Sequence, residues 1–151
     1  MILIITLMCV LFLFLISSSC IESFNDTEVP YVLTTNEIKK SDIGHRGVFA
    51  SKDYKAGETL EVCPCIKHPY NILEGKIQDY IFDFDEDNVL IAFGYCSMYN
   101  HVDNPNAEWE VLNENQLMIK AIKDIKKDEE IFVSYGDDYW TSRRNATKNN
   151  I

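Results

Sequence analysis

The stretch Tyr99-Asn100-His101-Val102-Asp103-Asn104-Pro105-Asn106-Ala107, with Glu129-Glu130-Ile131-Phe132-Val133-Ser134-Tyr135-Gly136-Asp137-Asp138-Tyr139-Trp140 about thirty residues beyond it, decides how this chain is read. A strand-like run joins the two. Residues 116–122 alternate as a strand should, Lys126-Lys127-Asp128-Glu129 makes a charged turn, and residues 131–135 form the strand that delivers Tyr135.

Toward the N-terminus the same pattern continues from residue 38, with short β-like runs between turn signals. That argues for several small sheets rather than an α/β layer. Gly47-Val48-Phe49-Ala50 is a strand ending near Asp53, and Lys55-Ala56-Gly57-Glu58 is a turn. Residues 59–66 are the next strand, broken by His68-Pro69-Tyr70-Asn71. Residues 72–82 hold a short helix or irregular turn, 83–88 an acidic loop, and 89–95 a strand leading into the first segment. The tail 141–151 is polar and Asn-rich, and poor order is expected there.

The 151 residues leave room for one domain, roughly 125–130 residues once the N-terminal segment is set aside. Such a domain buries a core without needing disulfide or metal staples. The net charge of −10 argues against direct nucleic-acid binding, which needs a basic face. The same charge suits a basic partner, whose encounter an acidic surface accelerates.

Cys9, Cys20, Cys63, Cys65 and Cys96 form no even framework. Cys63-Pro64-Cys65 with His68 lacks the spacing and the second Cys/His pair of a metal site, so Cys63 and Cys65 are expected to be buried or half-buried thiols on a strand. Asp83-Phe84-Asp85-Glu86-Asp87-Asn88 opens like a calcium loop, but the sixth position is Asn88 and the twelfth Gly94. The loop is better taken as a solvated turn or part of a face that meets a basic substrate. No metal site is expected.

The two segments in this order and separation closely resemble the signature segments of the SET-domain protein lysine methyltransferases. The resemblance runs from about residue 38 to 140 and is strongest over 94–107 and 129–140. No cysteine follows Cys96, so the zinc-binding cluster that many members carry after the catalytic tyrosine is absent. The chain is therefore most similar to the minimal, SET-only viral and microbial members, some of which methylate histone H3. The resemblance implies a mainly β fold of several small sheets with few short helices and a knot-like crossing near the C-terminus. It also implies S-adenosyl-L-methionine as cofactor and a basic protein substrate, most naturally a histone tail.

Methylating a lysine needs a narrow channel that guides a deprotonated amine into line with the methyl donor, polar oxygens that orient it, and aromatic walls that exclude water. Tyrosine supplies both ring and hydroxyl. By resemblance, Tyr135 is the catalytic tyrosine, and Tyr80 and Tyr139 line the substrate-lysine channel. Asn100 and His101 open the first signature and contact the cofactor, along with Arg46, Gly47, Val48 and Tyr135. In Ile43-Gly44-His45-Arg46-Gly47-Val48-Phe49-Ala50, His45 stands where the family usually has the first glycine of its cofactor turn, with Gly44 beside it. Val102 stands where it usually has Ser. Glycine in this turn is expected to let backbone approach the methionine end of the cofactor, so His45 bears on cofactor affinity.

Residues 1–16 are apolar but for Thr6, and no charge appears before Glu22. Such a run lies between a signal-peptide core and a short membrane span. A basic n-region is missing and the flanking charges give no orientation. The organisation expected is a hydrophobic leader or anchor at 1–21, a linker at 22–36, a SET domain at 37–140 and a polar tail at 141–151. The leader points to a membrane while the chemistry points to nucleus or cytoplasm. Oligomeric state is not legible. Two other readings stay open: a non-catalytic SET-like peptide-binding module, motivated by His45 and Val102, and a membrane-tethered interaction protein, motivated by residues 1–16.

Overall fold

In the computed structural model, residues 29–136 and 139–140 are described, so the leader, residues 22–28 and the tail 141–151 lie outside the description. Nine strands follow in chain order: β1 Glu37–Lys40, β2 Arg46–Phe49, β3 Thr59–Pro69, β4 Ile81–Asp83, β5 Asn88–Ala92, β6 Asn100–His101, β7 Ala107–Asn113, β8 Gln116–Ala121 and β9 Glu130–Val133. The helices named among the described residues are 3-10 turns, at Tyr70–Ile72, Gly75–Asp79 and Cys96–Met98. The fold is mainly β, as expected. No described helix is long and apolar enough to cross a membrane.

The strands make two sheets, β1-β2-β9-β6 and β4-β5-β3-β8-β7. The larger is antiparallel throughout and is organised by β3, which pairs β5 on one side and β8 on the other. Strand β8 (Gln116-Leu117-Met118-Ile119-Lys120-Ala121) buries Leu117, Ile119 and Ala121, as a half-buried strand with period two should. In β7 the alternation is as plain: Ala107, Trp109 and Val111 pack inward while Glu108 and Glu110 are more exposed.

Strand β3 runs through His68-Pro69 instead of breaking there, because those residues keep pairing with Val89 and Asn88 of β5. Beyond Cys65 no backbone bond to the β8 side is made, so a proline without an N–H costs the ladder little. Residues 29–36 pack onto the domain: the Val62 N–H donates to the Val32 carbonyl at 3.0 Å, and Asn36 is buried beneath Tyr54, whose hydroxyl donates to it at 2.7 Å.

One expectation is corrected. Cys63 is not a thiol: it forms a disulfide with Cys96, across 33 residues of chain. Among the described residues Cys65 is free and buried, and burial pushes its thiol up to about 11. A partner that far away in sequence is brought close only by the turn of the chain after β5.

The smaller sheet holds the crossing. Strand β9 is sandwiched between antiparallel β2 and parallel β6, so the two signature segments lie side by side, Asn100 opposite Phe132 and His101 opposite Val133. Asn106 pins the crossing from the side. Its Nδ2 donates to the Glu130 carbonyl at 2.9 Å and its Oδ1 accepts from the Phe132 N–H at 2.8 Å. Asn106 thus stands in for a missing strand partner.

Candidate active site

Strand β9 ends at Val133 because the chain then changes hydrogen-bonding partner. The Tyr135 N–H donates to His101 Nδ1 at 3.1 Å instead of to a neighbouring strand. Nδ1 is therefore an acceptor, which leaves the ring proton on Nε2, 3.5 Å from the Asp103 carboxylate. The Tyr135 hydroxyl donates to the Tyr99 carbonyl at 2.9 Å. Both ends of Tyr135 are thus fixed by the first signature segment. Its ring packs among aromatics, with centroids 5.3 Å from His101 and 4.7 Å from Tyr139, and Trp140 lies 5.1 Å from His101.

Tyr135 and Tyr139 form one wall of a cleft of about 350 Å³, and Tyr80, Phe82 and Trp109 line it too. Tyr135, expected to be catalytic, and Tyr80 and Tyr139, expected to line the channel, all line this cleft. Tyr80 is delivered by the end of the Gly75–Asp79 turn, where its N–H donates to the Ile77 carbonyl. Trp109 is held from β7 by donating Nε1–H to the Ser134 carbonyl at 2.9 Å and by packing edge-on to Phe82 at 5.4 Å. The rim carries the carboxylates of Asp79 and Asp83.

The other predicted residues gather around Glu130. Its carboxylate accepts from Asn100 Nδ2 at 2.8 Å and from Ser41 Oγ at 2.8 Å, and the same Asn100 amide donates to the Arg46 carbonyl at 3.1 Å. A Cβ at Gly47 would stand 2.0 Å from Glu130 Oε1 and 2.7 Å from Asn100 Nδ2. Packing against Glu130 and Asn100 is thus by itself enough to require glycine at position 47. The Val48 side chain is fully buried in the core, so a ligand can meet only its backbone. Arg46 and His45 are exposed. This cluster joins the cleft through the strand pair β6–β9 and the His101–Tyr135 bond.

Behind the cleft lies a buried carboxylate that sequence reasoning missed. Glu61 on β3 accepts from the Tyr95 N–H at 2.9 Å and from the Tyr99 hydroxyl at 3.1 Å. Burial pushes the Glu61 carboxyl up, against the two hydrogen bonds that lower it. Burial first, and the neighbouring Glu61 charge next, push the Tyr99 hydroxyl well above its ordinary value, which keeps it a donor. Glu130, Trp109 and Asn106 were likewise given no role in the sequence. Of these only Trp109 carries a local signal, the alternation of β7.

The family model for the SET domain matches residues 45–136, the span that contains both signatures, the cleft and the Glu130 cluster. The chain belongs to the SET-domain family. The similar proteins include a Schizosaccharomyces pombe relative named as a histone-lysine N-methyltransferase specific for H3 lysine 37, 29% identical over 118 residues that cover 74% of this chain and 80% of the relative. The crystal structure of a candidate histone methyltransferase from Plasmodium falciparum superposes with a TM-score of 0.64 at 32% identity, covering 72% of this chain and 99% of that one. The SET domain here is thus matched both in sequence and in fold.

Proposed function

We propose that this SET domain is an S-adenosyl-L-methionine-dependent protein lysine N-methyltransferase acting on a basic tail, with a histone as the favoured substrate. The observation that carries the reading is the Tyr135 hydroxyl, held by the Tyr99 carbonyl at the wall of an aromatic cleft. Donating its proton to Tyr99, the Tyr135 hydroxyl would meet an N–H of an incoming amine as the acceptor. Accepting that N–H aims the amine's own lone pair along the cleft axis. Tyr80, Tyr139, Phe82 and Trp109 wall off water, which favours the neutral amine over the ammonium.

The residues around the Glu130 cluster fit a cofactor with a carboxylate, a cation and a purine. The exposed Arg46 guanidinium suits a carboxylate, and the rings of His101 and Trp140 offer faces to a purine and to a positive sulfur. Such a cofactor supplies a methyl group on sulfonium, ready for transfer to an amine. Gly44 supports an intact turn, since its φ of +101° provides one residue early the conformation that His45 would resist. The net charge of −10, the rim carboxylates Asp79 and Asp83, and the names of both relatives favour a lysine-rich histone tail over a neutral substrate.

A titration of S-adenosyl-L-methionine into the protein by calorimetry, with Arg46→Ala in parallel, tests the cofactor half of the reading. Saturable binding weakened in the variant is expected. Absence of binding would favour the second reading, a peptide-binding module, which the departures at His45 and Val102 motivate.

A further inference from the structure

The Asn100 amide has a donor end and an acceptor end, and its neighbours decide which way it faces. Nδ2 carries two hydrogens, and both are taken: one by Glu130 Oε1 at 2.8 Å, the other by the Arg46 carbonyl at 3.1 Å. A carboxylate and a backbone carbonyl only accept, so neither can meet the Oδ1 end. Among the described residues no donor is bonded to Oδ1, and it is not one of the buried unpaired atoms, so it reaches solvent. Glu130 also holds the neighbouring turn. Its Oε2 accepts from Ser41 Oγ at 2.8 Å, and residues 41–45 close on Ser41. The Ser41 N–H donates to the His45 carbonyl at 2.7 Å, and the Gly44 N–H to the Ser41 carbonyl at 3.2 Å. Ser41 and Glu130 are both buried, and Gly47 leaves the space that the carboxylate fills. One carboxylate thereby sets the turn that leads into Arg46 against the Asn100 amide.

We propose that Glu130 is a positioning residue for the cofactor: by turning the Asn100 amide, it presents Oδ1 to the α-ammonium of S-adenosyl-L-methionine. This rests on the reading of these residues as the cofactor pocket. An α-amino acid carries its ammonium and its carboxylate on one carbon, so an acceptor and a cation must stand side by side to hold both. Asn100 is bonded to the backbone of Arg46, whose guanidinium suits the carboxylate. With the amide reversed, Nδ2 would face the ammonium, donor against donor, and Oδ1 would face Glu130, acceptor against acceptor. Glu130 makes the reversed orientation costly at both ends. Without it the amide is held by one exposed carbonyl, and both orientations become available. Glu130 itself touches Asn100 and Ser41 and acts on the cofactor through them.

Calorimetry on the full chain measures Kd for S-adenosyl-L-homocysteine and for its analogue with hydrogen in place of the α-amino group. The wild type, Glu130→Gln and Glu130→Met are compared. The ratio of the two Kd values reads the ammonium contact, whereas a variant that only loosens the fold weakens both ligands alike and leaves the ratio unmoved. The wild type is expected to bind the deaminated ligand about tenfold more weakly, the scale of one hydrogen bond to a charged group. Glu130→Gln loses the charge but keeps an oxygen for Asn100 Nδ2 and an N–H for Ser41 Oγ, so its ratio stays near the wild-type value. Glu130→Met matches the length of glutamate and fixes neither end of the amide, so its ratio falls toward unity. A wild-type ratio near unity overturns the proposal without either variant having to fold. A wild-type ratio in Glu130→Met overturns it too, and equal losses in Gln and Met overturn it in favour of plain charge attraction. If the wild type binds neither ligand, the cofactor reading itself has failed and this inference falls with it.

Discussion

The Tyr135 hydroxyl donates to the Tyr99 carbonyl at 2.9 Å, so the residue proposed to carry the chemistry is braced by the residue that opens the opposite signature segment. The brace is doubled at the backbone, where the Tyr135 N–H donates to His101 Nδ1. His101→Ala removes that acceptor while leaving the hydroxyl contact. We expect kcat to fall about 10- to 100-fold, the effect of misplacing a positioned group. The stability cost should be about 1 kcal/mol, that of one lost hydrogen bond. Steady-state kinetics with a thermal melt on the same sample checks both.

Gly47→Ala drives a methyl into the Glu130 carboxylate, which Ser41 and Asn100 hold in place. The acid must move and forfeit both bonds, at a cost of about 2–3 kcal/mol. Asn100→Ala leaves the same carboxylate half-satisfied and should cost about 1–3 kcal/mol, together with weaker cofactor binding. Urea denaturation of the two variants ranks them, and a Gly47→Ala protein as stable as wild type would refute the packing account.

Asn106→Ala strips partners from the Glu130 carbonyl and the Phe132 N–H at the crossing. Two buried backbone groups left unpaired cost about 2–4 kcal/mol in total. Hydrogen exchange should show the Phe132 amide losing its protection in this variant, with the β3–β8 amides much less affected.

Glu61 makes a pH-dependent prediction. Its folded pKa is raised above the ordinary 4.5 by burial, so the folded chain holds that proton more tightly than the unfolded one. Its contribution to stability is therefore fully present below pH 4.5 and is lost as pH rises through the raised value. Glu61→Gln cannot titrate and still offers an oxygen to the Tyr95 N–H. The difference in melting temperature, variant minus wild type, should grow more positive from pH 4.5 toward neutrality. A difference that is flat with pH, or that shrinks, would contradict the assignment.

Much of this was legible in the sequence because it was local. The two signature segments carry their own composition, and the tyrosines singled out there, Tyr80, Tyr135 and Tyr139, line one cleft. Strand ends were less legible, because they are set by partners elsewhere. Strand β5 stops at Ala92, after which the chain turns at Gly94 so that the Tyr95 N–H reaches Glu61. Strand β9 stops at Val133, short of Tyr135, which turns to His101. Glu61, Glu130 and the Cys63–Cys96 bond were hidden for the same reason. A buried acid or a paired cysteine is recognised by what surrounds it, and their partners lie 30 or more residues away in sequence. At Gly47 the packing against Glu130 was hidden for the same reason, since Glu130 lies far along the chain.

The most direct measurement compares wild type with Tyr135→Phe in transfer of labelled methyl groups from S-adenosyl-L-methionine to core histones, with cofactor affinity and melting temperature recorded for both. The account predicts label on a histone with the wild type, a sharp loss or a changed degree of methylation with the variant, and little change in fold. Equal rates and identical products from the two proteins would contradict it.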